Sequence, residues 1–144
     1  MIVAARYHDF SAGHRVVGHE GKCRNLHGHN YRVHFEVCAV DSKLDDLGRV
    51  IDFSVIKSRL CDWLETYWDH KFLVWDRDPL AIRLQSIDPT VVLCTFNPTA
   101  ENMGHYLFHD VAPHVLEGTN AMIRRIVVEE TRKCSAMITA GGLP

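Results

Sequence analysis

From His27 to Val40 the chain reads as an alternation of apolar and polar residues. Tyr31, Val33, Phe35 and Val37 share one parity, and Arg32, His34 and Glu36 the other. A period of two is the mark of a strand with one buried face. His27 and His29 have the apolar parity, so both imidazoles are expected side by side at the end of the inward face. An earlier segment, about residues 2–14, also reads as a strand, with its apolar parity shifting between Tyr7 and Phe10, which predicts a bulge. Residues 15–26 are rich in glycine and charge and read as a loop. After a turn at "DDLG", Asp52 is placed to cap a helix whose Phe53, Ile56, Leu60, Trp63, Leu64 and Tyr67 form one apolar stripe. "DRDPLAIRLQSIDPTVVLCTF" is irregular and reads as a small hairpin or an excursion. "NPTAEN" then opens a second helix, with Thr99 as cap and Met103, Leu107 and Val111 facing inward. Gly118 follows it, and residues 122–130 and about 134–139 close the chain as two strands. The order strand, strand, helix, helix, strand, strand predicts an α+β fold, an antiparallel sheet with both helices on one face.

Composition narrows the function. The 144 residues suit one domain, 1–144, without repeat or linker, and a formal charge of −2 with interspersed signs gives no nucleic-acid footprint. The start "MIVAARYHDF" lacks the basic and long apolar regions of a signal peptide, and no apolar run approaches the roughly 20 residues that span a bilayer. Five scattered cysteines (Cys23, Cys38, Cys61, Cys94, Cys134), none in C-x-x-C, argue against a disulfide framework and for a reducing cytoplasm. Ten histidines exceed what packing requires.

Neutral imidazoles are the commonest protein ligands of zinc, and a site needs several converging on one point. His27 and His29, two apart on a strand, can share an ion, and His14 in "FSAGHR" can supply the third ligand if the two strands pair. Three histidines and one free position make a catalytic zinc that polarises a hydroxyl or carbonyl. Cys23 is either a fourth ligand that closes a structural shell or a free thiol beside the metal, activated by the ion or by Lys22 and Arg24. The other four cysteines read as small hydrophobes. In "WDHK", Asp69 can orient and charge His70 as a proton donor, or the pair is a solvated helix end. "IVVEETR" sets Glu129 and Glu130 after a β-branched run, where a carboxylate can grip the N–H groups of a planar ring. Parity leaves both open, Glu130 aligning with Ile126 and Val128, Glu129 with Ile123 and Val127.

"FSAGHR", "KCRNLHGHNY", "DFSVIK", "DHKFL", "NPTAEN" and "VEET" follow the order seen in the 6-pyruvoyltetrahydropterin synthase / 6-carboxytetrahydropterin synthase family, which the chain resembles over nearly its whole length. Residues 75–95 are longer than that pattern. The resemblance implies the tunnelling fold: a four-stranded antiparallel sheet in the order ββααββ, with the sheets of three subunits closing a barrel and two trimers stacking into a homohexamer. It implies one Zn2+ per site, held by His14, His27 and His29, with Cys23 as the catalytic thiol. Asp69 and His70 complete proton transfer across an interface, and Glu130 anchors the pterin. The short C-x-x-x-H-G-H spacing is similar to that of the carboxy-forming branch of queuosine (7-deazaguanine) biosynthesis, which converts 7,8-dihydroneopterin triphosphate to 6-carboxy-5,6,7,8-tetrahydropterin with loss of triphosphate and acetaldehyde. The pyruvoyl-forming branch of biopterin synthesis is the alternative. A third branch, which cleaves dihydroneopterin, carries a glutamate at the thiol motif, where this chain has Asn25 and Leu26, with Glu20 upstream. A non-catalytic domain with a structural zinc is the rival from another class. Lys22, Arg24, Lys71, Arg132 and Lys133 are the cations available to the triphosphate.

Overall fold

The computed structural model describes residues 1–141, so the last three positions of the predicted 1–144 unit lie outside the described residues. Two long strands, β1 (Ala4–His14) and β2 (His27–Ala39), pair antiparallel from Ala4↔Val37 to His14↔His27. Every even position of β1 from Ala4 to His14 faces the helix side, and the odd residues of β2 do the same. The bulge predicted near Tyr7 is therefore absent. Tyr7 lies on the open face, where the Arg32 guanidinium sits 4.1 Å from its ring centre. That contact accounts for an aromatic residue at the polar parity. The one register shift falls instead between Glu36 and Val37, where β2 meets β5 (Ala121–Glu129). β6 (Ser135–Thr139) completes an antiparallel run β1-β2-β5-β6.

The sheet is larger than the four strands expected. β3 (Lys71–Trp75) and β4 (Val92–Cys94) add to the free edge of β1, giving six strands in the order β4-β3-β1-β2-β5-β6. Both added pairings are parallel, so the sheet is mixed. The excursion between them carries a short helix, Ala81–Ile87. Parallel strands need a crossover rather than a tight turn, which is what the irregular, proline-punctuated stretch provides.

Two long helices cover the face opposite the open one. The first runs over residues 53–67 and contains a π-helical turn, Lys57–Cys61, between α-helical Phe53–Ile56 and Asp62–Tyr67. Asp52 caps it by accepting the Ser54 amide at 2.8 Å. The wider turn rotates the buried stripe onto Ile56, Leu60, Cys61, Leu64 and Trp68, so Phe53 and Tyr67 end up exposed and Trp63 half-buried. The second runs over residues 100–115, capped by Thr99, with a π-helical turn at Leu107–Val111. Met103, Leu107 and Val111 are buried in the same core as Phe10, Tyr31, Val33 and Phe35, as their spacing predicted. Gly118 follows with φ +80°, a conformation that favours glycine.

Candidate metal centre and its surroundings

The pairing of β1 with β2 sets His14 directly opposite His27 and Ala12 opposite His29. Since all three side chains share the inward parity, the rings gather at one end of the sheet, with centroids 4.5, 4.9 and 5.1 Å apart. Their donor atoms all lie within 4.8 Å of one another. Gly13 and Gly28 lie between them on the opposite parity, and a Cβ on Gly28 would stand 2.9 Å from the Ala12 carbonyl oxygen. The glycine of H-G-H is thus required by close strand approach.

Backbone carbonyls fix the tautomers. His14 Nδ1 lies 2.7 Å from the Pro98 oxygen, and His27 Nδ1 lies 2.7 Å from the Asn25 oxygen. A carbonyl only accepts, so each Nδ1 carries a proton and donates, leaving Nε2 with its lone pair. The two Nε2 atoms face each other at 3.0 Å. His29 Nε2 is buried without a hydrogen-bond partner. A buried polar atom with no partner is costly, and three imidazole nitrogens turned on one point suit a tetrahedral divalent ion. Burial, with smaller contributions from its two neighbours and against the Pro98 hydrogen bond, pushes the His14 imidazole down to about 4. Burial also lowers His29, against the pull of Glu130. Both rings are therefore held in the neutral, ligating form at neutral pH.

Glu130 joins the group: its Oε1 lies 3.5 Å from His29 Nε2, whereas Glu129 turns to the open face and accepts from His34 at 2.7 Å. The tie that parity left between the two carboxylates is thus broken by position. Cys23 sits half-buried in the turn Lys22–Arg24 and is not one of the three clustered donors. Asp69 and His70 form a tight pair, with His70 Nδ1 at 2.7 Å from Asp69 Oδ2 and the Ser11 amide donating to Asp69 Oδ1 at 3.0 Å. Burial would raise the Asp69 carboxyl, but the Ser11 amide and His70 outweigh it and hold it low. His70 has φ +57° and a largely exposed ring. The pair borders a groove of about 1100 Å³ that also meets His29, Glu130 and Arg132, and His70 alone borders a second of about 630 Å³ that meets His27, His29, Lys71, Phe72 and Asp88. Cys23 borders neither. Of the five candidate cations, Arg132 and Lys71 are the ones at a groove wall, and Lys71 Nζ donates to the Thr66 carbonyl at 3.0 Å.

Three contributors escaped the sequence. Tyr31 shows in the sequence only as an apolar-face aromatic, yet its hydroxyl reaches His14 Nδ1 at 3.2 Å. The Pro98 and Asn25 carbonyls carry no side-chain signal, and "NPTAEN" announced only a helix start.

Fold and site together define an α+β protein with three histidines gathered at one end of a mixed sheet, able to take up a metal ion. The chain belongs to the 6-pyruvoyl tetrahydropterin synthase family, whose sequence profile matches residues 4–140. It is 36% identical over 137 residues to 6-carboxy-5,6,7,8-tetrahydropterin synthase of Rickettsia typhi, covering 93% of this chain and 97% of that one. An uncharacterized protein from Wolinella succinogenes has the same fold, with a TM-score of 0.83 at 20% identity over 97% of this chain and 98% of the other. So does 6-pyruvoyl tetrahydropterin synthase of Caenorhabditis elegans, with a TM-score of 0.68 at 22% identity over 97% and 96%.

Proposed function

We propose that this chain is a zinc-dependent lyase that converts 7,8-dihydroneopterin triphosphate to 6-carboxy-5,6,7,8-tetrahydropterin, with loss of triphosphate and acetaldehyde. The observation that carries the proposal is the convergence of the His14, His27 and His29 donors with Glu130 alongside. The Rickettsia relative's name and the short C-x-x-x-H-G-H spacing support the carboxy product over the pyruvoyl one.

A bound zinc supplies Lewis acidity, making substrate hydroxyls and the positions next to them more acidic. His14, His27 and His29 hold that ion through nitrogens whose opposite ring faces are fixed by carbonyls in two cases. Glu130 accepts hydrogen bonds from the pterin ring N–H groups. The Cys23 thiolate takes a proton from the side chain, and His70, oriented by Asp69, returns one elsewhere. Lys71 and Arg132 meet the triphosphate as its C–O bond breaks, and side-chain cleavage then releases acetaldehyde. The functional unit is a homohexamer in the cytoplasm, two stacked trimers whose sheets close a barrel. His70 of one subunit serves Cys23 of another in it.

Two measurements test this. Incubation with dihydroneopterin triphosphate is expected to give the carboxy product and acetaldehyde; a pyruvoyl product moves the assignment to the alternative branch. Cys23→Ala is expected to keep its metal and fold while losing turnover. Loss of metal from that variant would make Cys23 a ligand and the zinc structural.

A further inference from the structure

The excursion between β3 and β4 raises a question its exposed face does not answer: why it buries a charge. Asp78 has a side chain with 0% exposure, and its Oδ2 receives Arg15 Nε at 2.5 Å, the arginine itself 18% exposed. Asp78 is also a rigid post. Its Oδ1 accepts the Leu80 amide at 2.8 Å, its own amide donates to the Trp75 carbonyl at 2.9 Å, and its carbonyl accepts the Ala81 amide at 2.9 Å. Arg15 is the residue directly after His14, where β1 ends. Two positions further, the Asn97 side chain accepts the Val17 amide at 3.2 Å and donates to the Val17 carbonyl at 2.9 Å. The next residue, Pro98, is the carbonyl that holds the His14 ring.

The chain leaving His14 is therefore gripped twice, by Asp78 in the excursion and by Asn97 and Pro98 in the connection that follows β4. Desolvating an ion pair is costly, and well-packed apolar side chains in place of a buried pair are often neutral or stabilising. What a charged pair adds is direction: a guanidinium fixed on a carboxylate admits few positions for the backbone that carries it. The end of a strand has no further ladder bonds to hold it. A ligand there must nevertheless sit within about 0.5 Å of its place for three rings to share one ion.

We infer that Asp78 is a positioning residue for the three-histidine group, acting through Arg15 to set where His14 presents Nε2. This rests on the metal reading proposed above. The longer 75–95 segment is then a buttress of the site, not a surface ornament.

The test is Asp78→Asn, which keeps the shape and removes the charge, with Zn2+ affinity measured against a chromophoric chelator and the Co2+-substituted protein examined by its visible absorption. Affinity is expected to fall about 10-fold or more, the range found for partners behind a ligand, with an altered Co2+ spectrum. Asp52→Ala, which removes a helix cap, is expected to lower stability with both readouts unchanged. A folded Asp78→Asn protein with wild-type affinity and spectrum overturns the inference. Should that variant fail to fold, Arg15→Lys decides: it keeps the charge and loses the planar fork, and wild-type metal behaviour there overturns the inference equally. Failure of the wild-type protein itself to bind Zn2+ or Co2+ would instead sink the metal reading.

Discussion

At the scale of single residues, burial separates groups that look alike in sequence. Cys38, Cys61 and Cys94 are buried, and desolvation raises the Cys61 thiol and pushes Cys94 up to about 12. Cys134 departs from the small-hydrophobe expectation. The tight β5–β6 connection uses its carbonyl to receive the Glu130 and Thr131 amides and leaves the residue exposed. Mass spectrometry after brief alkylation of the native protein should find label on Cys134 and Cys23 and none on the other three until denaturant is added. Label on Cys94 in the native state would contradict the packing. His14 makes a prediction about pH. Its folded value of about 4 lies below the ordinary 6.5, so the unfolded chain takes up a proton that the folded chain refuses. Stability of the metal-free protein should be level above about pH 6.5 and fall as pH drops toward 4, by about 3 kcal/mol from this group, with His29 adding in the same direction. Urea midpoints across that range measure it, and a flat profile would mean that His14 is not buried neutral.

Whole elements were legible where one face is buried and the pairing is local. The alternation of β2, the caps at Asp52 and Thr99 and the inward stripe of the second helix each follow from side-chain period and capping chemistry, and each is observed. The parallel strands β3 and β4 were not legible, because five- and three-residue runs carry no period of their own, and β3 takes its partner from the far edge of β1 and β4 from β3. The π-helical turns were hidden likewise, since an extra residue per turn shows only as a drift in which apolar positions are buried. The histidine cluster was readable because two of its members share a strand and the third ends the neighbour. Its register rests on Gly28, where a Cβ would meet backbone at Ala12, which cannot swing away as a side chain can. Gly28→Ala is expected to push β1 from β2 at the paired His14 and His27, costing about 1–3 kcal/mol and weakening Zn2+ binding with it. Equilibrium unfolding and chelator competition measure the two. A variant with wild-type stability and metal affinity would show that the strands have slack there.

For the whole molecule, the arrangement within one chain bears on how many chains make a site. The Asp69–His70 pair borders a groove shared with Asp9, Ser11 and Arg32 on the open face of the sheet. Cys23 borders neither this groove nor the smaller one, whereas Tyr31, His29 and Glu130 line the one that holds the pair. The free edges of β4 and β6, and a face where Arg32 is held by Asp9 and Arg125 by Glu36, are what a neighbouring copy would meet. If the two groups act on one substrate from different subunits, variants defective in each should rescue one another. Cys23→Ala and His70→Ala proteins are each expected to be inactive. Unfolded together and refolded as mixed oligomers, they should recover roughly a quarter of wild-type turnover, since half the thiols and half the imidazoles are intact and closed symmetry pairs them at random. A site contained in one chain gives a different result, because no chain in the mixture holds both groups and turnover stays at zero at every mixing ratio. The dependence on ratio supplies a second check. Shared sites recover in proportion to the product of the two fractions, with a maximum at equal amounts, whereas contamination by active wild-type protein would scale with the total.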